Sequence, residues 1–265
     1  MACFALYGRA ALSDLGSDLK FLGTLGLFPE IYLPGDVLDS LDDRMLNAML
    51  RWKEEGKDLT FHAPFIDLSP GGLDPRVIEV TRYRFSQVMD LAEKVHPSQV
   101  LFHPGFDNWR FAFREELWIE NSLKIWSELL DRAARSRTRI LLENVFDPTP
   151  DHLRKLRDRL GGGLGFCLDT GHLNLFSEVA LVQWLDVFGD ELLELHLHDN
   201  DGCRDLHLPV GEGNFDFAAL CRHVESKELE PVVVLEHHSR QETRRSLINF
   251  QRLLEKGFSD GGSGP

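Results

Sequence analysis

The stretch ELLELHLHDNDGCRDLHLPVGEG, residues 191–213, concentrates side chains that hold divalent metals. Between His196 and His207 lie three histidines, His196, His198 and His207, and three aspartates, Asp199, Asp201 and Asp205. Imidazole and carboxylate are donors that zinc prefers, and a metal held by three or four of them leaves room for water or a substrate oxygen. Two kinds of chemistry use such a centre. One ionises a water and clamps the oxygens of a phosphoester; the other polarises a carbonyl and its neighbouring hydroxyl.

The same residue types recur along the chain at one recurring place. Short apolar, β-branched runs occur at CFALYG, PEIYLPG, LTFHAP, QVLFHPG, RILLENV, LGFCLDTGH, LLELHLHD and PVVVLEHH. From the third to the eighth, each run ends in a metal-competent residue: His62, His103, Glu143, Asp169, His196 and Glu236. Strand alternation puts Leu101 with His103, Leu141 with Glu143, Cys167 with Asp169, and Glu194 with His196 and His198 on shared faces. Any one of these is simplest as a satisfied core histidine or a capping carboxylate. Six at corresponding positions are not.

Side chains so scattered in sequence need a scaffold that gathers strand ends. Between most of the runs lie stretches whose apolar residues return every three to four positions, such as SLDDRMLNAMLRWKEEG, DPRVIEVTRYRFSQVMDLAEKV, REELWIENSLKIWSELLDRAARS and RQETRRSLINFQRLLEKG. Eight strand-helix units in this length predict an α/β protein built as a single (β/α)8 TIM barrel over residues 1–258, with a flexible tail at 259–265. A doubly wound open sheet is the competing architecture. In a barrel the C-terminal strand ends converge on one face, where active sites sit, which favours the barrel.

Composition sets the rest of the frame. The 265 residues, 43% apolar and 27% charged, suit a soluble globular protein with a sizeable core. A net charge of -14 disfavours nucleic acid as a partner held mainly through phosphate neutralisation. The basic residues fall mostly on predicted helices, where alternating charge marks a solvated face. The four cysteines, Cys3, Cys167, Cys203 and Cys221, show no disulfide-like spacing, and no span of about 20 apolar residues occurs. A cytoplasmic protein with no membrane contact is expected; the sequence leaves the oligomeric state open.

The ordered set FHAPF, LFHPG, LLEN, CLDTGH, LHLHDNDGCRDLHLPVGEG and VLEHH resembles the xylose-isomerase-like barrel superfamily, which includes endonuclease IV, over most of the chain. In endonuclease IV a trinuclear zinc cluster is held by nine residues, and the resemblance places all nine here. Glu143 would bridge a first metal, held with His62 and His103, to a central metal held with Asp169, His196 and Glu236. A third metal would take His172, Asp205 and His207. The implied activity is phosphoester hydrolysis, on a small molecule or on abasic-site DNA, with up to three zinc ions per chain.

The isomerase and epimerase branch implies a different use of the same barrel. There one manganese, cobalt or magnesium ion is held by Glu143, Asp169, His196 and Glu236, and the two glutamates exchange a proton with a sugar or sugar-phosphate carbon. His62, His103, Asp205 and His207 are what that branch does not require, and they favour the multinuclear reading. A metal-binding barrel without catalysis is disfavoured by the intact donor set.

Phe65, Trp109, His198 and Arg204 are candidate substrate contacts. Phe65 and Ile66 otherwise read as packing under a loop, and Trp109, Trp118, Trp126 and Trp184 as helix-face packing. His96, His152 and His223 read as surface residues. One of His237 and His238 is placed to orient Glu236, and Asp199 and Asp201 are placed to cap their loop.

Overall fold

The computed structural model describes residues 4–256; Cys3 and the tail expected at 259–265 lie outside them. Eight parallel strands form a closed barrel in sequence order: β1 Leu6–Ala11, β2 Phe28–Tyr32, β3 Thr60–His62, β4 Gln99–Phe102, β5 Arg139–Glu143, β6 Leu164–Asp169, β7 Leu192–Leu197 and β8 Val232–Leu235. β1 pairs with both β2 and β8, so no sheet edge is left open. The (β/α)8 barrel is therefore the fold, and the open-sheet alternative is excluded.

Alternation within the strands sorts side chains into two layers. Val100, Phe102, Ile140, Leu142, Phe166 and Leu168 face outward into one continuous apolar layer beneath the helices. The long helices Pro75–Val95 and Glu115–Ser136 close it with Phe85 and Trp126, which pack with Phe102 at ring-centroid distances of 4.7 and 5.7 Å. Each such buried aromatic contributes roughly 2–3 kcal/mol of apolar transfer. The inward residues Leu101, Leu141 and Cys167 form a separate small cluster that plugs the barrel under its mouth.

Helix starts explain how the strand ends are held. Asp74 and Asp42 cap the helices Pro75–Val95 and Asp43–Glu54 by accepting hydrogen bonds from first-turn N–H groups. Trp118, Trp126 and Trp184 are fully buried as expected, but Trp109 is 82% exposed, in a turn of the loop after β4. His152, expected at the surface, is buried: its Nε2 lies 2.6 Å from Asp147, whose carboxylate also accepts from the Val145 N–H. Asp147, just after β5, supplies the partner that lets an imidazole leave water. None of Cys167, Cys203 and Cys221 is bridged, and among the described residues no helix is long and apolar enough to cross a membrane.

Candidate metal centre

All nine proposed donors lie at the C-terminal mouth of the barrel. His62, Glu143 and Asp169 are the last residues of their strands, and His103 and Glu236 directly follow β4 and β8. His196 is one residue from the end of β7, in register with Asp169. Two local devices deliver the others. Asp169 Oδ1 accepts from the His172 N–H at 2.7 Å, capping the short helix Thr170–Phe176 and setting His172 one turn along, above the strand that carries Asp169. After β7 the chain doubles back through an antiparallel bridge between Asp199 and Leu208, which returns Asp205 and His207 over His198.

That return is fastened by Asp199, which binds backbone rather than facing the mouth. Its carboxylate accepts from the N–H groups of Asn200, Gly211, Gly213 and Phe215 at 2.8–3.1 Å. A Cβ at Gly213 would sit 2.2 Å from the Asn200 carbonyl, so the turn closes only with glycine there. Asp201 likewise accepts from the N–H groups of Cys203 and Arg204.

The donors form three overlapping groups. Glu143 Oε2 faces His62 Nε2 at 3.4 Å and His103 Nε2 at 3.1 Å. His196 Nδ1 faces Glu236 Oε2 at 3.0 Å, Asp169 Oδ2 at 3.7 Å and Glu143 Oε1 at 4.0 Å. Asp205 Oδ2 faces His207 Nε2 at 3.3 Å and His172 Nε2 at 3.7 Å. Glu143 Oε2 is buried with no hydrogen-bond partner among the described residues. Two ligand atoms bound tetrahedrally to one zinc, each about 2.0 Å from it, lie about 3.3 Å apart. These separations and the orphaned oxygen fit ions placed between the donors, and the donor chemistry fits zinc.

Electrostatics point the same way. Burial works against ionising Glu143 and Glu236, but the imidazoles of His103, His172 and His196 outweigh it at Glu143 and those of His196 and His207 at Glu236, holding both well below the usual carboxylate range. For His62 burial opposes the charge and contact with Glu143 wins, raising it to about 9; His207 rises to about 9 beside Asp205 in the same way. Metal-free protein therefore carries protons on these two imidazoles at pH 7. Two results follow. Because their folded values exceed the ordinary 6.5, they stabilise the metal-free fold fully below pH 6.5, and that contribution disappears as pH rises towards 9. Metal uptake must displace the protons, so calorimetric zinc titrations at pH 7 in buffers of different ionisation enthalpy should show proton release, and affinity should rise between pH 6.5 and 9. Uptake without proton release would show that neither imidazole is a ligand.

The remaining candidates fall in different places. Phe65 lies in the mouth, stacked on His103 with ring centroids 4.1 Å apart. His198 is fully buried behind the donors: its Nε2 lies 2.9 Å from Asp169 Oδ2 and its ring stacks on His207 at 3.8 Å. Gly171 makes this possible, since a Cβ there would sit 2.0 Å from the His198 ring. Arg204 is exposed, pairs with Asp201, and lines no cavity of the mouth; Trp109 stands on the rim beside Phe113, also outside the cavities. His237 Nδ1 meets the His207 carbonyl at 3.0 Å, and the Glu236 carbonyl in turn holds His207 Nδ1 at 3.1 Å.

Residues that strand-end reasoning passed over complete the site. His196 Nε2 lies 3.0 Å from Glu194 and 3.1 Å from Glu30, both buried one layer down, and Gln99 donates to Glu194. This carboxylate pair fixes the imidazole so that Nδ1 faces the central donors. Burial and the neighbouring Glu30 push Glu194 up to about 7. Arg9, Tyr32 and His238 line the edge of the mouth.

The mouth cavity has a volume of about 260 Å³ and is lined both by proposed metal ligands, among them His62, Glu143 and Asp205, and by the apolar side chains of Phe65, Val145, Phe146 and Phe176. A larger cavity of about 470 Å³ lies away from it, between residues 210–218 and the last helix, and none of the nine proposed ligands lines it.

The fold is shared with known proteins. A Thermus thermophilus protein solved after soaking with zinc chloride is 28% identical, with a TM-score of 0.83 over 96% of this chain and 99% of that one. A D-tagatose 3-epimerase-like protein superposes with a TM-score of 0.81 over 94% and 97% of the two chains; at 22% identity that likeness is one of fold. A probable endonuclease 4 of Mycoplasma mycoides subsp. mycoides is 24% identical over 242 residues, 82% of this chain and 81% of its own length. The family model described as xylose isomerase-like TIM barrel matches residues 35–255. With the closed eight-stranded barrel and donors at six consecutive strand ends, that match means the chain belongs to the xylose isomerase-like TIM barrel family.

Proposed function

We propose that this protein is a metal-dependent phosphoester hydrolase with a multinuclear zinc centre. One observation carries the reading: besides Glu143, Asp169, His196 and Glu236, which a single central metal would use, His62 and His103 lie within 3.4 Å of Glu143, and His172 and His207 within 3.7 Å of Asp205. Zinc there would supply an ionised water and a clamp for the ester oxygens. The chain's own part is to gather the donors, keep Glu143 and Glu236 ionised, orient His196 through Glu30 and Glu194, and line the mouth with the apolar side chains of Phe65, Val145 and Phe146. Zinc soaking of the similar Thermus protein and the likeness to a probable endonuclease 4 support this reading.

A small ester suits the mouth better than a DNA duplex. Among the described residues, Arg9 and Arg110 are the only Lys or Arg side chains lining the three cavities there, and the chain carries -14 overall. A duplex held through its phosphates needs several such contacts.

The second reading, a sugar isomerase or epimerase with one metal, is favoured by a specific placement. Glu143 and Glu236 both approach His196 Nδ1, at 4.0 and 3.0 Å, and line the same cavity, where a pair exchanging a proton with a bound carbon would stand. Metal counting on protein purified without chelator separates the two. More than one tightly held ion per chain with cleavage of small diesters or an abasic-site duplex is expected. A single ion, deuterium exchange into a ketose and intact esters would establish the isomerase instead.

A further inference from the structure

β1 supplies none of the nine donors, yet one of its side chains enters the mouth. Arg9 is in register with Glu30, and Tyr32 with His62. Paired residues on parallel strands share a face, so Arg9, Glu30 and Tyr32 all point into the barrel. There Arg9 lines a cavity of about 110 Å³ with Tyr32, Glu236 and His238; His62, Phe65, His207 and Glu236 are common to this cavity and the main one. A ligand lying over Glu236 therefore reaches both.

The guanidinium is unspent. It sits 5.4 Å over the Tyr32 ring and has no carboxylate partner among the described residues. Arg84, Arg132 and Arg157, by contrast, each hold one or two carboxylates on the outer surface. In a chain with 43 acidic and 29 basic residues, a partly buried arginine left free beside an acidic mouth is a fork without its oxyanion. The Tyr32 hydroxyl also has no partner among the described residues, and burial raises its pKa, so it remains a donor. His238, its ring tilted against that of His207 with centroids 4.5 Å apart, completes the rim.

We infer that Arg9, with Tyr32 and His238, forms an oxyanion subsite beside Glu236 that takes a second anionic group of the substrate, a phosphate monoester or a carboxylate. This deepens the function proposed above and rests on it for the reacting group, because it makes the substrate one with an anion next to the bond that reacts. The competing role for Arg9 is a counter-charge to Glu30, Glu194 and Glu236. That role predicts loss of metal or of thermal stability on substitution, and no specific change in anion binding.

The test uses metal-replete wild type, Arg9→Gln and Arg9→Lys, each titrated calorimetrically with methyl phosphate and with acetate at fixed ionic strength. Arg9→Gln should weaken at least one anion by about tenfold or more, the scale of one charge-assisted pair, with Arg9→Lys in between and metal content unchanged. The anion that responds identifies the group as phosphate or carboxylate. Equal affinities in all three proteins, no anion binding by wild type, or loss of metal in Arg9→Gln would overturn the subsite. Because turnover is not read, the two proposals fail separately. Arg9-dependent binding without cleavage of any phosphoester would remove the hydrolase and leave the subsite, whereas cleavage with Arg9-independent binding would do the reverse.

Discussion

Replacing Glu236 with Gln should lower turnover by roughly 10²–10⁴-fold whichever chemistry the centre performs. The amide keeps the shape of the carboxylate and removes its charge. Glu236 Oε2 lies 3.0 Å from His196 Nδ1, and the side chain borders both the main cavity and the one beside Arg9. In a hydrolase the change withdraws an anionic ligand from the central metal; in an isomerase it also removes half of the acid–base pair. Metal content, measured by elemental analysis after dialysis, should fall with turnover, while circular dichroism stays that of the wild type. Full activity with full metal content in Glu236→Gln would defeat both enzymatic readings at once.

How far the sequence discloses such a site depends on where each residue sits in its strand. His62, His103, Glu143, Asp169, His196 and Glu236 were legible because a polar residue ending an apolar run is conspicuous, and because a barrel turns that linear regularity into a spatial one. Asp169 and His172 were legible through their spacing, which a capped first turn explains. Glu30, Glu194 and Arg9 were not, since each lies within a strand and reads locally as an alternating polar residue. Only closure of the barrel shows that inward positions on β1, β2 and β7 face one another. Alternation did place Glu194 on the face of His196, a signal that it supports that imidazole from below.

His198 shows a related limit. Strand alternation correctly put it on the face of His196, but the return of the loop after β7 decides what covers it. Asp199 fastens that loop through four backbone N–H groups, which buries His198 against Asp169 and His207. Asp199 and Asp201 were legible as loop caps, and both accept from backbone N–H groups; what the pattern could not show is that the loop they close would cover His198. Arg204 and Trp109 fell outside for the same reason: loop geometry, not residue type, sets their direction.

Changing His103 and His207 together to Ala is the variant that separates the two chemistries. His103 meets Glu143 through Oε2, and His207 meets Asp205; the group formed by Glu143, Asp169 and His196 contains neither. If the centre is multinuclear, the double variant should fall from about three metals per chain to about one, because each outer ion keeps too few of the three or four donors that zinc requires. Phosphoester cleavage should then drop by roughly 10³-fold or more, as Lewis-acid stabilisation worth several kcal/mol is lost. The central ion should remain, so a cobalt-substituted sample should keep the spectrum of one site and lose the others. In an isomerase the same variant would hold its single metal and lose activity only as far as Phe65, which stacks on His103, shifts in the mouth. A wild type with one metal whose count is unchanged by the double substitution would reassign the outer histidines from ligands to pocket walls.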